Sequence, residues 1–188
     1  GINFTCIDNN TYPELLRIYD DKPVWLFYKG ELPGKERLVG MVGARNCSQY
    51  GRIMAEEISY KLGVHAVGVV SGMARGIDAA AHIGSIRAGG KTYAILGCGV
   101  DECYPRENIG LYMQIIDNGG IISEYPPGTK PLAWQFPERN RIISMMSESI
   151  MIMEAKKQSG SLITAEYALQ YGKDVFALPG RVGDKLSE

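Results

Sequence analysis

A doubly wound α/β fold, with a mainly parallel sheet and helices on both faces, is predicted by three features of this sequence. From Leu38 onward, short apolar runs alternate with helical patterns. The runs show no polar alternation, as in strands covered on both faces. Several run into glycine-bearing turns that open the next helix, most clearly Ser71-Gly72-Met73-Ala74-Arg75-Gly76-Ile77-Asp78.

The elements follow in order. Residues 1–37 read as a lead-in segment packed on the sheet edge: a short helix near Tyr12–Tyr19, a Val24–Tyr28 strand, then the turn Gly30-Glu31-Leu32-Pro33-Gly34. Residues 38–188 read as the main domain. Its strands are predicted at Leu38–Val42, Ala66–Val70, Thr92–Leu96, Gly120–Ile122, Ser149–Met153 and Asp174–Leu178. Met54, Ile58 and Leu62 recur at helical spacing between the first two. Ile77, Ala80, Ala81, Gly84 and Ala88 form a stripe of mostly small residues that lets a helix lie close on the sheet. Leu111, Ile115 and Ile116 repeat the pattern, as do Leu162, Ala165, Ala168 and Leu169. Right-handed crossovers then place any ligand at the carboxyl ends of the strands.

Composition narrows the function classes. The 188 residues are 45% apolar and 22% charged, which suits one globular domain. A net charge of −1 provides no global basic field, so a polyanion site must be a local patch. No run approaches the roughly 18 apolar residues that span a bilayer, and no signal peptide is present, so the expected compartment is the cytoplasm. Cys6, Cys47, Cys98 and Cys103 form no C-x-x-C pair or metal spacing. No metal or cofactor is expected. The start at Gly1 and the polar Val182–Glu188 tail read as the ends of a fragment.

The strand ends carry the candidate site. Gly43 allows close backbone approach, and Arg45 is either a surface arginine or a fork for phosphate. Gly72 and Gly76, four apart in the next turn, permit positive φ and expose N–H groups at the helix start. Arg75 adds charge there, and Asp78 suits capping. This turn is neither G-x-G-x-x-G nor Walker A. Cys98 has only His65 and His82 as possible imidazole partners, both away from a strand end, so a Cys–His nucleophile is disfavoured.

In Phe136-Pro137-Glu138-Arg139-Asn140-Arg141, Pro137 suits a helix start and both arginines are expected in the first turn. Cations there call for an external anion or a carboxylate such as Glu124. Phe136 is either a core residue or a stacking platform, and an aromatic beside arginines suits single-stranded nucleic acid. Ser159-Gly160-Ser161, with Thr164, opens the last helix and can cap it or bond a phosphate.

Val42-Gly43-Ala44-Arg45, Ser71 to Asp78 with Ala81-His82, Tyr104-Pro105, Ser123-Glu124, Phe136-Pro137 with Arg139-Asn140-Arg141, Glu154-Ala155, Ser159-Gly160-Ser161 and Pro179-Gly180 together resemble, in order and spacing, the DprA/Smf family of bacterial DNA-processing proteins. The resemblance covers about residues 10–188. It implies an extended Rossmann-like domain that binds single-stranded DNA, protects incoming DNA and helps load the recombinase RecA in natural transformation. It also implies a DNA pocket using Arg45, Ser71, Gly72, Arg75, Gly76, Phe136, Arg139 and Arg141. Lys130 is the candidate for a lysine that some members place before the Phe. A homodimer is implied for the full-length protein, with the continuation beyond Pro179-Gly180 that helps form it largely missing here. Two other classes remain. One is a nucleotide hydrolase resembling the LOG phosphoribohydrolases, although the helix start Ser159–Glu166 lacks their double glycine; the other is a protein-interaction scaffold.

Overall fold

The computed structural model describes residues 1–157 and 159–180. One sheet holds the strands β1 (Asn3–Cys6), β2 (Trp25–Gly30), β3 (Leu38–Val42), β4 (Gly68–Ser71), β5 (Thr92–Ile95), β6 (Gly119–Ser123), β7 (Ser149–Ile152) and β8 (Asp174–Ala177). Their spatial order is β1-β2-β6-β5-β4-β3-β7-β8. Strands β3 to β8 pair in parallel, while β2 runs antiparallel to β6 and β1 antiparallel to β2. The helices are α1 (Gln49–Val64), α2 (Ile77–Arg87), α3 (Ile109–Asn118), α4 (Gln135–Met146) and α5 (Gly160–Gln170). The α/β class and the mainly parallel, doubly wound sheet are as the sequence predicts.

Both sheet faces are apolar, and the two-residue period of the strands divides their side chains between two layers. Leu38, Val42, Val70, Tyr93, Ile95, Ile122 and Ile150 pack with Ile142, Ile143, Met145 and Met146 of α4 and Ala168 of α5. Met41, Val69 and Met153 meet Ala55 of α1 and Ala80 and Ala81 of α2, while Ala94 and Ile121 meet Tyr112 and Ile115 of α3. Full burial of one such Ile, Leu or Val stabilises the fold by about 1.5–3 kcal/mol. The small-residue stripe of α2 serves a further contact, because Gly84 lies against the backbone of Glu56 in α1.

Each predicted strand is present with ends within two residues of those read from sequence. Strand β4 starts late because Ala66 sits at φ +57, turning the chain just before it. At the amino end one strand is added and one expectation is corrected. Asn3–Cys6, where Ile2, Phe4 and Cys6 alternate with polar residues, is an edge strand not among those predicted from the sequence, in register with β2 from Asn3↔Tyr28 to Cys6↔Trp25. The helix expected near Tyr12–Tyr19 is one 3₁₀ turn, Glu14–Leu16. The Arg17 guanidinium donates to the Ile7 and Asn9 carbonyls at 2.5 and 2.7 Å, and Tyr12 Oη donates to the Pro23 carbonyl at 2.6 Å. These bonds fold the segment back on itself, and one turn suffices to bury Leu16.

The carboxyl end of α4 is closed by Lys173, whose Nζ donates to the carbonyls of Ser144 at 2.6 Å, Met145 at 2.7 Å and also Ser147. Among the described residues no helix is long and apolar enough to cross a membrane.

His82 of α2 is fully buried, and burial pushes its pKa down to about 3. Thr92 Oγ1 donates to the Val69 carbonyl at 3.0 Å, so it accepts from His82 Nδ1 at 2.7 Å, leaving Nε2 without a partner. An unfolded imidazole titrates near pH ~6.5. Between the two values the unfolded chain holds the extra proton, so His82 makes stability fall as pH drops through that window. Melting curves from pH 7.5 to pH 4 will show a fall that is shallower in His82→Asn; equal pH dependence in both proteins would refute this role.

Candidate nucleic-acid interface

Strand order reverses between β3 and β7, since β4, β5 and β6 lie to one side of β3 and β7 and β8 to the other. Such a reversal opens a crevice at the carboxyl ends of the strands. Here it is a cleft of about 250 Å³. Gly43 and Arg45 come from the β3–α1 turn, and Ala74 and Asp78 from the turn and first residues of α2. Phe136, Pro137, Arg139 and Asn140 come from α4, and Ser159, Gly160, Ser161 and Thr164 from the start of α5. A smaller adjoining hollow is lined by Arg45, Gly72, Arg75, Tyr104, Pro105, Phe136 and Arg139.

The α2 turn is packed rather than open. Gly76 sits at φ +73, and a Cβ there would lie 2.4 Å from the Ala44 carbonyl oxygen. The Ile77 N–H donates to that same oxygen at 3.3 Å. The N–H groups of Gly72 and Ala74 donate to Asp78 Oδ2 at 3.2 and 3.4 Å. Donors expected to face an outside anion are therefore engaged by the chain's own carboxylate. Burial pushes the Asp78 pKa up, while Arg139 and the two N–H groups pull it down. The start of α1 is filled in the same way: Glu154 accepts from Ser48 N at 2.8 Å and Ser48 Oγ at 2.5 Å, and Ser48 Oγ caps Gly51 N. Helix α5 differs, with a Ser159 cap and no acidic residue in its first turn.

The arginines separate into distinct roles. Helix α4 starts at Gln135, so Arg139 and Arg141 fall beyond its first turn instead of within it. Arg139 is 5% exposed. Its Nη1 donates to the Gly72 carbonyl at 3.1 Å and to the Ile95 carbonyl, and its Nε to Asn140 Oδ1 at 3.1 Å. Burial lowers its pKa to about 10, opposed by Asp78, and it stays protonated at neutral pH. A Cβ on Gly72 would lie 2.6 Å from the Arg139 guanidinium, so any side chain there would have to displace that buried group. Arg141 forms a two-pronged pair with Glu124 at 2.7 and 2.6 Å, both largely buried, and takes no part in the cleft wall.

Arg75 pairs with Glu107 and Lys130 with Glu102 on the surface. Lys130 lies outside both hollows. Among the described residues Arg45 makes no ion pair. It is exposed, with its guanidinium carbon 5.4 Å from the centre of the Phe136 ring. The Tyr104 ring stacks on the same Phe136 at 5.4 Å. Phe136 is half-buried in the cleft wall and outside the apolar core.

The structure thus gathers Gly43, Arg45, Gly72, Arg75, Phe136, Arg139, Ser159, Gly160 and Ser161 around the crevice. Ser71 is buried instead, with its Oγ donating to the Met41 carbonyl at 2.6 Å. Tyr104 and Asn140 belong to the site without having been singled out for it. Tyr104 is exposed in a strand-end loop, and an aromatic beside Pro105 in such a loop is the signal that points to it.

A larger groove of about 970 Å³ lies among residues 3–34. It carries Asp8, Glu14 and Glu31 against Arg17, whose guanidinium already serves two carbonyls, so its charge does not suit a polyanion.

Residues 3–188 match the model of the family described as DNA recombination-mediator protein A. The DNA processing protein DprA of Streptococcus pneumoniae is 45% identical over 99% of this chain, which spans 66% of that protein. The X-ray structure of DprA from the same organism superposes with a TM-score of 0.90 at 41% identity, over 100% of this chain and 66% of that one. A structure of DNA processing protein A from Helicobacter pylori, described for its single-stranded DNA binding mode, has a TM-score of 0.86 at 28% identity. It is matched over 97% of this chain and 83% of that one.

Removing the buried guanidinium leaves the Gly72 and Ile95 carbonyls and the Asp78 carboxylate without it. Arg139→Ala will therefore lower unfolding free energy by about 3–5 kcal/mol. Arg45→Ala, exposed and without an ion pair, will stay within about 0.5 kcal/mol. Urea denaturation separates the two, and equal midpoints would contradict the bracing role.

Proposed function

Because this chain belongs to the DNA recombination-mediator protein A family, we propose that it binds single-stranded DNA in the cleft at the carboxyl ends of β3 and β7. The observation that carries this reading is the Arg45–Phe136 pair, a guanidinium without an ion pair set over a half-exposed ring. Backbone charge beside a stacking surface suits single strands and tolerates any base. The Helicobacter pylori protein described for its single-stranded DNA binding mode supports the same reading. In the full-length protein, as a homodimer, this site holds incoming strands and assists loading of the recombinase RecA, the role the family resemblance implies.

The proposed action is binding without turnover. Glu124 is tied to Arg141, and Glu166 is exposed on α5 outside the cleft. Cys98 is buried with its thiol pushed up to about 11, and His82 is sealed in the core. This leaves no nucleophile–base pair for hydrolysis among the cleft residues. Nucleoside monophosphates and DNA will come through incubation intact. Release of base or phosphate that co-purifies with the chain and vanishes in Glu166→Ala would overturn the reading.

Each phosphate neutralised on a single strand contributes about −0.7 to the slope of log K against log salt. Arg45, joined by Arg75 once its surface pair opens, therefore predicts a slope of about −0.7 to −1.4 for labelled oligo-dT. Arg45→Ala will remove about 0.7 of it. Phe136→Ala will weaken binding by about 1–3 kcal/mol and leave the slope in place. Affinity indifferent to salt would refute the proposal.

A further inference from the structure

Thr164 sits one turn into α5, wholly buried, and lines the cleft. Among the described residues its Oγ1 has no hydrogen-bond partner. A buried hydroxyl in that state costs free energy unless something bonds to it. One turn earlier on the same helix, Ser159 Oγ and Ser161 Oγ lie 2.7 Å apart, and a Cβ built on Gly160 meets nothing within 4 Å. The Gly160 position is therefore open, between the Ser159 and Ser161 hydroxyls and at the positive end of an eleven-residue helix with no acidic residue in its first turn, with the Thr164 hydroxyl sealed one turn beneath. Arg45 and Arg139 share the cleft, and the Asp78 carboxylate opposite is engaged by the Gly72 and Ala74 N–H groups.

We propose that the start of α5, with Ser159, Ser161 and Thr164, is a subsite for a phosphomonoester: the 5′-phosphate of a strand end or of a free nucleotide. The floor of the site selects the ester type. A group that reaches the sealed Thr164 hydroxyl must enter end-on. A monoester has three free oxygens and one substituent, whereas an internal phosphodiester carries sugar on both sides. The cleft, at about 250 Å³, falls below the ~300–1,000 Å³ of sites for drug-sized ligands, which suits one terminal group better than a dinucleotide. The strand-end form rests on the DNA-binding reading, and the free-nucleotide form stands without it.

The test is competition against labelled 5′-hydroxyl oligo-dT by a dT trinucleotide carrying either a 5′-phosphate or a 5′-hydroxyl. The phosphate form is expected to compete about tenfold or more better, the scale of hydrogen bonds to a charged group. In Thr164→Val, which keeps the shape and removes the hydroxyl, that ratio will fall toward one. A melting curve on the variant excludes unfolding as the cause, since Oγ1 makes no hydrogen bond to the described residues. Thymidine 5′-monophosphate competing as well as the phosphorylated trinucleotide assigns the subsite to free nucleotides, and weaker competition assigns it to strand ends. Equal competition by the two trinucleotides, or a ratio unchanged in Thr164→Val, would overturn the subsite while leaving DNA binding standing. If the labelled strand does not bind at all, the DNA-binding reading fails. Calorimetry with thymidine 5′-monophosphate then decides the subsite: heat lost in Thr164→Val supports it, and no heat refutes it.

Discussion

The ligand side of the sheet depends on one buried guanidinium. Strands β4 and β5 end side by side, and the carbonyls of Gly72 and Ile95 there point into protein. Arg139 reaches them from α4 and donates to both. Both bonds come from Nη1, whose two N–H groups serve one carbonyl each, while Nε is held by Asn140 Oδ1. The charge itself is compensated by Asp78, which also holds the Gly72 and Ala74 N–H groups. Helix α4, the α2 turn and two strand ends are thereby joined in one polar network. That network forms the floor of the cleft and leaves Arg45 and Phe136 as its mouth.

The same economy of charge bears on the polyanion site proposed for a chain of net charge −1. Most cations near the crevice have a carboxylate of their own. Arg75–Glu107 and Lys130–Glu102 are exposed pairs, worth about 0–1 kcal/mol each, which a phosphate can displace at little cost. Arg141–Glu124 is largely buried and resists opening, so it belongs to the scaffold. Arg45 stands apart among the described residues, exposed and without an ion pair at the edge of an aromatic pair. Attraction is therefore concentrated at one point of the surface, with a stacking ring beside it, and needs no field over the whole molecule.

Helix starts tell a parallel story. The starts of α2, α4 and α5 line the crevice and that of α1 follows the Arg45 turn, and two of these are filled by carboxylates: α1 by Ser48 with Glu154, and α2 by Asp78. These contacts hold the turns still and fix the spacing of the walls. The start of α5 has only hydroxyls and amides. The helix starts thus differ in whether a carboxylate lies within reach.

By itself the sequence determined the class of fold, the positions of the parallel strands and the turns at their ends. Apolar runs, helical periodicity and glycine spacing are local signals, and they act through backbone conformation within a few residues. It also marked Arg45, Phe136 and Ser159–Ser161 as residues of one crevice, because a doubly wound sheet sends its turns to a common edge. Tertiary structure decided the rest. Alternation of Ile2, Phe4 and Cys6 with polar residues marks a strand, but its pairing with β2 is a long-range contact that the alternation does not specify. Three arginines alike in sequence took three roles. Arg139 met the carbonyls of residues 67 and 44 positions away, Arg141 met a glutamate 17 positions away, and Arg45 met no ion-pair partner among the described residues. Whether an arginine braces the fold or faces solvent is set by the groups that the folded chain brings within hydrogen-bond distance. Partners so remote along the chain leave no trace in the spacing around the arginine itself.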